Sequence, residues 1–135
     1  MELRVIENKI KKLDFSGAYK DLISLNYDFR LENIAKDFKH TDSITMYAFL
    51  MFAVSQNESA LLHITICNYL YFMDPYINGA DQMIKWHALR ILEKFPENVS
   101  AISRFAIGIY EGNPDCPFSD AKMERFRAAI CTATG

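Results

Sequence analysis

The residues best suited to acid–base chemistry are three histidines, His40, His63 and His87, and the last two lie in apolar surroundings. Glu58 precedes His63 by five residues, and a carboxylate that orients an imidazole is typical of a general base. Five residues do not place two side chains squarely on one face of a helix, however. No HExxH or ExxH spacing occurs in the chain. We therefore expect packed or partly exposed histidines that are hydrogen-bonded to their neighbours, and a small helical enzyme that uses His63 or His87 is the alternative.

Cysteine supplies the other candidate nucleophile, because Cys67 follows His63 by four residues and would share its helical face. A buried thiol with no cationic helix terminus beside it has a disfavoured thiolate, so we expect Cys67 to be structural. Cys67, Cys116 and Cys131 are odd in number, widely spaced and form no CxxC pair. This usage argues against a zinc site or a disulfide framework and fits a reducing cytosol. GxSxG, GxGxxG and Walker motifs are absent, so we expect no catalytic residue, metal or cofactor.

Basic residues are clustered in two short segments, one with Lys9, Lys11 and Lys12 and the other with Lys36 and Lys39. Neither cluster is interleaved with the aromatic residues on which single-stranded nucleic acids stack. The formal net charge of the chain is −2, which excludes a strongly basic nucleic-acid binder. We expect both clusters to face solvent and no nucleic acid to be a partner.

Aromatic residues occur beside carboxylates near the end of the chain. Tyr110 and Phe118 flank a loop that contains Glu111, Asp115 and Asp120. Aromatic anchors with a polar rim are typical of protein–protein interfaces, although burial in the core is the stronger interpretation of each single ring. A second aromatic group surrounds the Asp74-Pro75 pair and consists of Tyr69, Tyr71, Phe72 and Tyr76.

The elements that position these residues are predicted to be helices. The chain has 135 residues, half of them hydrophobic, which suits a single domain over residues 1–135. Asp14 or Ser16 is placed to begin the second helix, Asp28 the third, and one of Thr41, Asp42 and Ser43 the fourth. Polar residues 55–58 divide the most apolar stretch into pieces shorter than the roughly 20 residues that span a bilayer, so buried helices explain it best.

The fold class predicted from these patterns is all-α. We expect seven to eight helices packed as antiparallel hairpins, in a short solenoid or a tetratricopeptide-like bundle. Strand is a competitor only in the ITIC and YLYF segments, where β-forming residues are frequent. The absence of a two-residue hairpin turn between them favours helix.

The segment from Ser43 to Ile130 resembles small bacterial helical immunity proteins, including those of contact-dependent growth-inhibition systems. The matching features are SITMYAFLMFAVSQNESALLH, the Gly79-Ala80 turn, WHALRILEKFPENVS, FAIGIYEGNP and SDAKMERFRAAI. The resemblance implies a cytoplasmic, non-enzymatic protein that binds a cognate toxin one-to-one and blocks its active site. Such toxins are often nucleases, whose substrate sites are basic.

The resemblance directs attention to acidic residues as the partner-binding site. Residues 41–135 contain ten acidic and seven basic side chains, a net charge of −3, and an acidic surface suits a basic toxin site. The residues that we expect to bind the partner are Glu111, Asp115, Asp120 and Glu124. We expect neither nucleic acid nor membrane as a partner. The alternative function is a helical-repeat adaptor for protein interactions, without a toxin partner.

Overall fold

A computed structural model describes the backbone of residues 2–73 and 77–134 and the side chains of residues 2–73 and 77–130. These residues form eight α-helices and no β-strand, which confirms the all-α prediction. None of the described helices is both long enough and apolar enough to cross a bilayer. The helices are α1 (Leu3–Lys11), α2 (Phe15–Ser24), α3 (Leu31–Asp37), α4 (Ser43–Gln56), α5 (Ala60–Met73), α6 (Ala80–Lys94), α7 (Val99–Tyr110) and α8 (Asp120–Thr134).

Short polar side chains begin several of these helices. Asp14 and Asp42 cap α2 and α4 as predicted, because their carboxylates accept hydrogen bonds from the backbone N–H groups of Gly17 and Thr45. The prediction that Asp28 caps the third helix is wrong. Its carboxylate accepts from the backbone N–H of Arg30, which forms a turn, and α3 begins only at Leu31.

Residues 1–75 form one compact unit that contains α1 to α5. Within it α1 packs against α2, α3 and α4, and α5 packs against α3 and α4. Apolar residues surround α4 and α5 on most sides, so both helices bury much of their surface. The side chains with no exposed surface include Ile6, Ile10, Leu22, Met46, Phe49, Leu50, Ile66 and Leu70.

Residues 76–135 form a second compact unit that contains α6, α7 and α8. In this unit α7 packs against both α6 and α8, and a single turn of 3-10 helix (Pro96–Asn98) leads from α6 into α7. Its described core includes Ile84, Ile91, Ile102, Phe105 and Phe126. A single domain over residues 1–135, and the choice between bundle and solenoid, stay predictions.

Candidate partner-binding surface on the α7–α8 hairpin

The loop between α7 and α8 is held by local backbone hydrogen bonds. Gly112 has a φ of 76°, which lets the chain turn directly after α7. Asn113 donates its backbone N–H to the Tyr110 carbonyl at 3.0 Å, and its side-chain oxygen accepts from the Asp115 N–H at 2.8 Å. The Ser119 hydroxyl then accepts from the Lys122 N–H at the start of α8. These bonds fix the direction in which the loop presents its side chains.

The aromatic residues that flank the loop are buried beneath it. Tyr110 is 3% exposed, and its hydroxyl donates to Asp81 Oδ1 at 2.9 Å. Its ring meets Phe118 edge-on at 5.7 Å, and Phe118 meets Phe126 at 5.1 Å between ring centroids. The core interpretation is therefore confirmed for Tyr110 and Phe118. They anchor the loop from below and do not form an exposed aromatic rim.

The four predicted carboxylates are all exposed, but they are not equivalent. Arg127 donates from Nε to Glu111 Oε1 at 3.2 Å and from Nη1 to Glu124 Oε2 at 2.7 Å. These two hydrogen bonds raise the pKa of the Arg127 guanidinium above its ordinary value. Asp115 and Asp120 form no ion pair with any side chain that the structure describes. They are the two carboxylates of this surface whose charge has no such internal partner.

The surface around the loop has only a small acidic excess. Residues 110–127 contain four acidic side chains and three basic ones, Lys122, Arg125 and Arg127, which gives a net charge of −1. Charge alone therefore gives this surface little attraction for a distant basic partner. Asp115 and Asp120 are the carboxylates of this surface that are able to pair at close range with an external cation.

Two of the three histidines and Cys67 lie in packed, buried surroundings. His63 is fully buried, and its Nε2 lies 2.6 Å from Glu58 Oε2. Glu58 lies before the start of α5, and its side chain extends over the first turn of the helix to reach His63. The contact therefore does not require the two residues to share a helical face. Burial raises the pKa of the Cys67 thiol, which disfavours the nucleophilic thiolate. His87 is also fully buried, whereas His40 is exposed.

A second exposed surface, on α6, is one that the sequence analysis does not identify. Trp86 is 52% exposed, and with Leu89, Arg90 and Glu93 it lines a shallow depression of about 260 Å³. The spacing of these residues places them along one side of α6, and we call this the Trp86 face. The signal was present in the sequence as a tryptophan on a helix most of whose other apolar residues are buried.

The aromatic group near the end of α5 is divided between core and surface. Tyr69 is buried, whereas Phe72 is 60% exposed. The Phe72 ring contacts the Tyr71 ring edge to face, with 4.9 Å between the ring centroids. Tyr76 and the Asp74-Pro75 pair lie outside the described residues. Across the described ranges, no group of three or more potential ligands is arranged to hold a metal ion.

Comparison with known proteins gives no assignment. No family model matches the chain, and no match is found among curated proteins or among solved structures.

Proposed function

We propose that this protein is an immunity protein that binds a cognate bacterial toxin one-to-one and blocks its active site. The observation that carries the proposal is the placement of Asp115 and Asp120 on a braced hairpin, exposed and without an internal cation. The resemblance of residues 43–130 to helical immunity proteins points to the same class of partner. A nuclease is the toxin class that this chemistry favours, because its substrate site is basic.

Inhibition by such a surface works by occupying a site, without chemical change in either protein. The two aspartates accept hydrogen bonds from lysine or arginine side chains that would otherwise hold substrate phosphates. The buried Tyr110, Phe118 and Phe126 rings keep the loop in one conformation, so little entropy is lost on binding. Shape complementarity supplies most of the affinity, because the acidic excess is small.

The test is calorimetry with a toxin domain encoded beside this gene, together with growth protection when both proteins are produced in one cell. We expect tight one-to-one binding and protection. The double substitution Asp115→Asn/Asp120→Asn should weaken binding about 10- to 30-fold, which is roughly the effect of two rim charges of about 1 kcal/mol each. The matched control Glu32→Gln/Glu97→Gln removes two exposed charges elsewhere and should leave affinity unchanged.

Absence of binding to the neighbouring toxin, or equal losses in the two double variants, would contradict the proposal. Equal losses would show that the overall charge, and not this loop, governs association.

The second candidate function is a helical adaptor, and the Trp86 face is the observation that favours it. Tryptophan and arginine are the residues most enriched at binding hot spots, and here they lie one helical turn apart on α6. Under this function Trp86→Ala abolishes binding to a partner that is not a toxin, while Asp115→Asn/Asp120→Asn has no effect. Under the immunity function the aspartate pair is the more sensitive of the two.

A further inference from the structure

The only Asn-Gly pair of the sequence forms the turn that leads into α6. Asn78 and Gly79 are both exposed, and the Ala80 N–H donates to the Ile77 carbonyl at 3.0 Å across the two residues. Gly79 has a φ of 80°, a left-handed conformation that glycine adopts without steric cost. Because α6 begins at the next residue, Asn78 lies outside the regular hydrogen bonding of the helix.

An asparagine that precedes glycine is open to an intramolecular reaction that bulkier following residues hinder. The backbone nitrogen of the following residue attacks the asparagine Cγ, and a side chain on that residue crowds the approach. At Gly79 the approach is open, because no heavy atom beyond its chain neighbours lies within 4 Å of the position that a Cβ would take. The Asn78 side chain forms no hydrogen bond with a group that the structure describes. Both reacting groups are therefore accessible.

The attacking nitrogen distinguishes this asparagine from others in exposed connections. The Gly79 N–H donates to no acceptor within residues 2–73 and 77–134. After Asn26, by contrast, the Tyr27 N–H donates to a carbonyl of α2 at 3.0 Å. Asn113 is followed by Pro114, whose nitrogen carries no hydrogen. The fold thus leaves the nucleophile accessible at one pair and the chain blocks it at the two others.

We propose that Asn78 is a site of spontaneous deamidation in the folded protein. The Gly79 nitrogen forms a bond to Asn78 Cγ while the bond from Cγ to Nδ2 breaks, and ammonia leaves with the proton that the Gly79 nitrogen gives up. Water then opens the cyclic succinimide at either carbonyl. One opening gives aspartate, and the other gives isoaspartate, whose main chain runs through Cβ and Cγ. No electrons are exchanged, water is the co-reactant, and the proposal does not depend on toxin binding.

The two products change the start of α6 in different ways. Aspartate keeps the main chain and adds a negative charge beside the N-terminus of α6, where the helix dipole stabilises it. Isoaspartate lengthens the main chain between Ile77 and Ala80, so the 3.0 Å hydrogen bond across the turn no longer fits. Asp81, which accepts from the Tyr110 hydroxyl at 2.9 Å, lies directly after this turn. We therefore expect isoaspartate to loosen the contact between α6 and α7.

The experiment is incubation of the folded full chain in mildly alkaline buffer, followed by digestion with an endoproteinase that cleaves before aspartate. This enzyme releases residues 74–80 as one peptide, in which Asn78 is the only asparagine. The aspartate product is cut once more, before residue 78, whereas the isoaspartate product stays whole and is about 1 Da heavier. We expect both products, with ammonia released in an amount equal to their sum.

Substitutions connect the products to this residue. Asn78→Gln should abolish both products, because its longer side chain has to close a larger ring. The control Asn57→Gln replaces another exposed asparagine, which precedes Glu58, and should react at residue 78 as the wild type does. Asn78→Asp reproduces the aspartate product and should keep the melting temperature of the wild type, whereas the fraction that contains isoaspartate should melt at a lower temperature.

Comparison with the chain unfolded in guanidinium chloride separates the effect of the structure from that of the dipeptide. Among the described groups, only the hydrogen bond from Ala80 to Ile77 closes the turn. We therefore expect residue 78 of the folded chain to react within about tenfold of the rate of the unfolded chain. A greater slowing, or no reaction, would show that the fold protects the turn and would overturn the proposal. Equal release of ammonia by Asn78→Gln and the wild type would overturn it as well.

Discussion

At the scale of single residues, Ser103 carries a fully buried hydroxyl oxygen with no hydrogen-bond partner among the described groups. Its desolvation is not compensated, so removing the hydroxyl should stabilise the folded state. We expect Ser103→Ala to raise the free energy of unfolding by about 1 kcal/mol, including the higher helix propensity of alanine. Ser100→Ala, in the first turn of the same helix, removes a hydroxyl from a less buried residue and should give the smaller gain by thermal denaturation.

The contact between Glu58 and His63 gives a second prediction at this scale. When Glu58 is ionised its carboxylate only accepts hydrogen bonds, so the His63 tautomer that fits the 2.6 Å contact is the one with its proton on Nε2. Glu58→Ala removes an acceptor from a buried ring and should cost about 2 kcal/mol, whereas Glu58→Gln keeps an oxygen there and should cost less. Urea denaturation measures both, with the exposed Glu97→Ala as control. Equal costs for the two Glu58 variants would contradict this account.

At the scale of elements, the acidic N-cap of α4 links stability to pH. Hydrogen bonds from the Thr45 hydroxyl and backbone N–H lower the pKa of the Asp42 carboxyl. A pKa lowered by folding adds stability above the ordinary aspartate value of about 3.9, and this contribution is lost as the pH falls through the lowered value. The pH-dependent part is small, because Asp42 is exposed and water screens its charge.

Asp42→Ala should therefore cost about 1 kcal/mol near neutral pH, the usual effect of removing an N-cap. Asp42→Asn retains a capping oxygen without the charge, so it should cost less near neutral pH and converge with wild type below about pH 4. Melting temperatures of the wild type and both variants test this order when they are measured between about pH 2 and pH 8 in steps of about one pH unit. A difference between Asp42→Asn and wild type that grows on acidification would contradict it.

The start of a helix can be predicted from the sequence when the hydrogen bonds that fix it join residues only a few positions apart. Asp42 caps α4 as predicted because its carboxylate needs only backbone N–H groups three residues away. The prediction for Asp28 is wrong because its carboxylate accepts a hydrogen bond from the backbone N–H of Arg30, two residues later, and this bond forms a turn instead of a helix cap. Strand competed with helix in α5 because the ITIC segment contains β-branched residues, and burial in a helical unit outweighs that preference.

At the scale of the whole molecule, the formal charge of −2 sets how fast a partner is found. Strong electrostatic steering of a partner requires a large electrostatic field, and a net charge of this size does not produce one. We expect association with a toxin at about 10⁵–10⁷ M⁻¹s⁻¹, falling less than about tenfold between low and high salt. Stopped-flow measurement over a salt series tests this, and a steep decline would mean that charge dominates over shape.

The candidate surfaces are only partly predictable from the sequence, because they depend on contacts between distant residues. The exposure of Asp115 and Asp120 follows from a polar loop rich in turn-forming residues. The compensation of Glu111 by Arg127 requires the hairpin to bring side chains 16 residues apart to within 3.2 Å.

The position of the chain's single tryptophan makes it a spectroscopic reporter for part of the protein. Trp86 lies on α6 within residues 76–135, so its fluorescence emission reports on the surroundings of that helix, whereas far-ultraviolet circular dichroism follows every helix. Superimposable transitions from the two signals would mean that both units melt as one cooperative system. Different midpoints of the two unfolding transitions would identify which unit unfolds first.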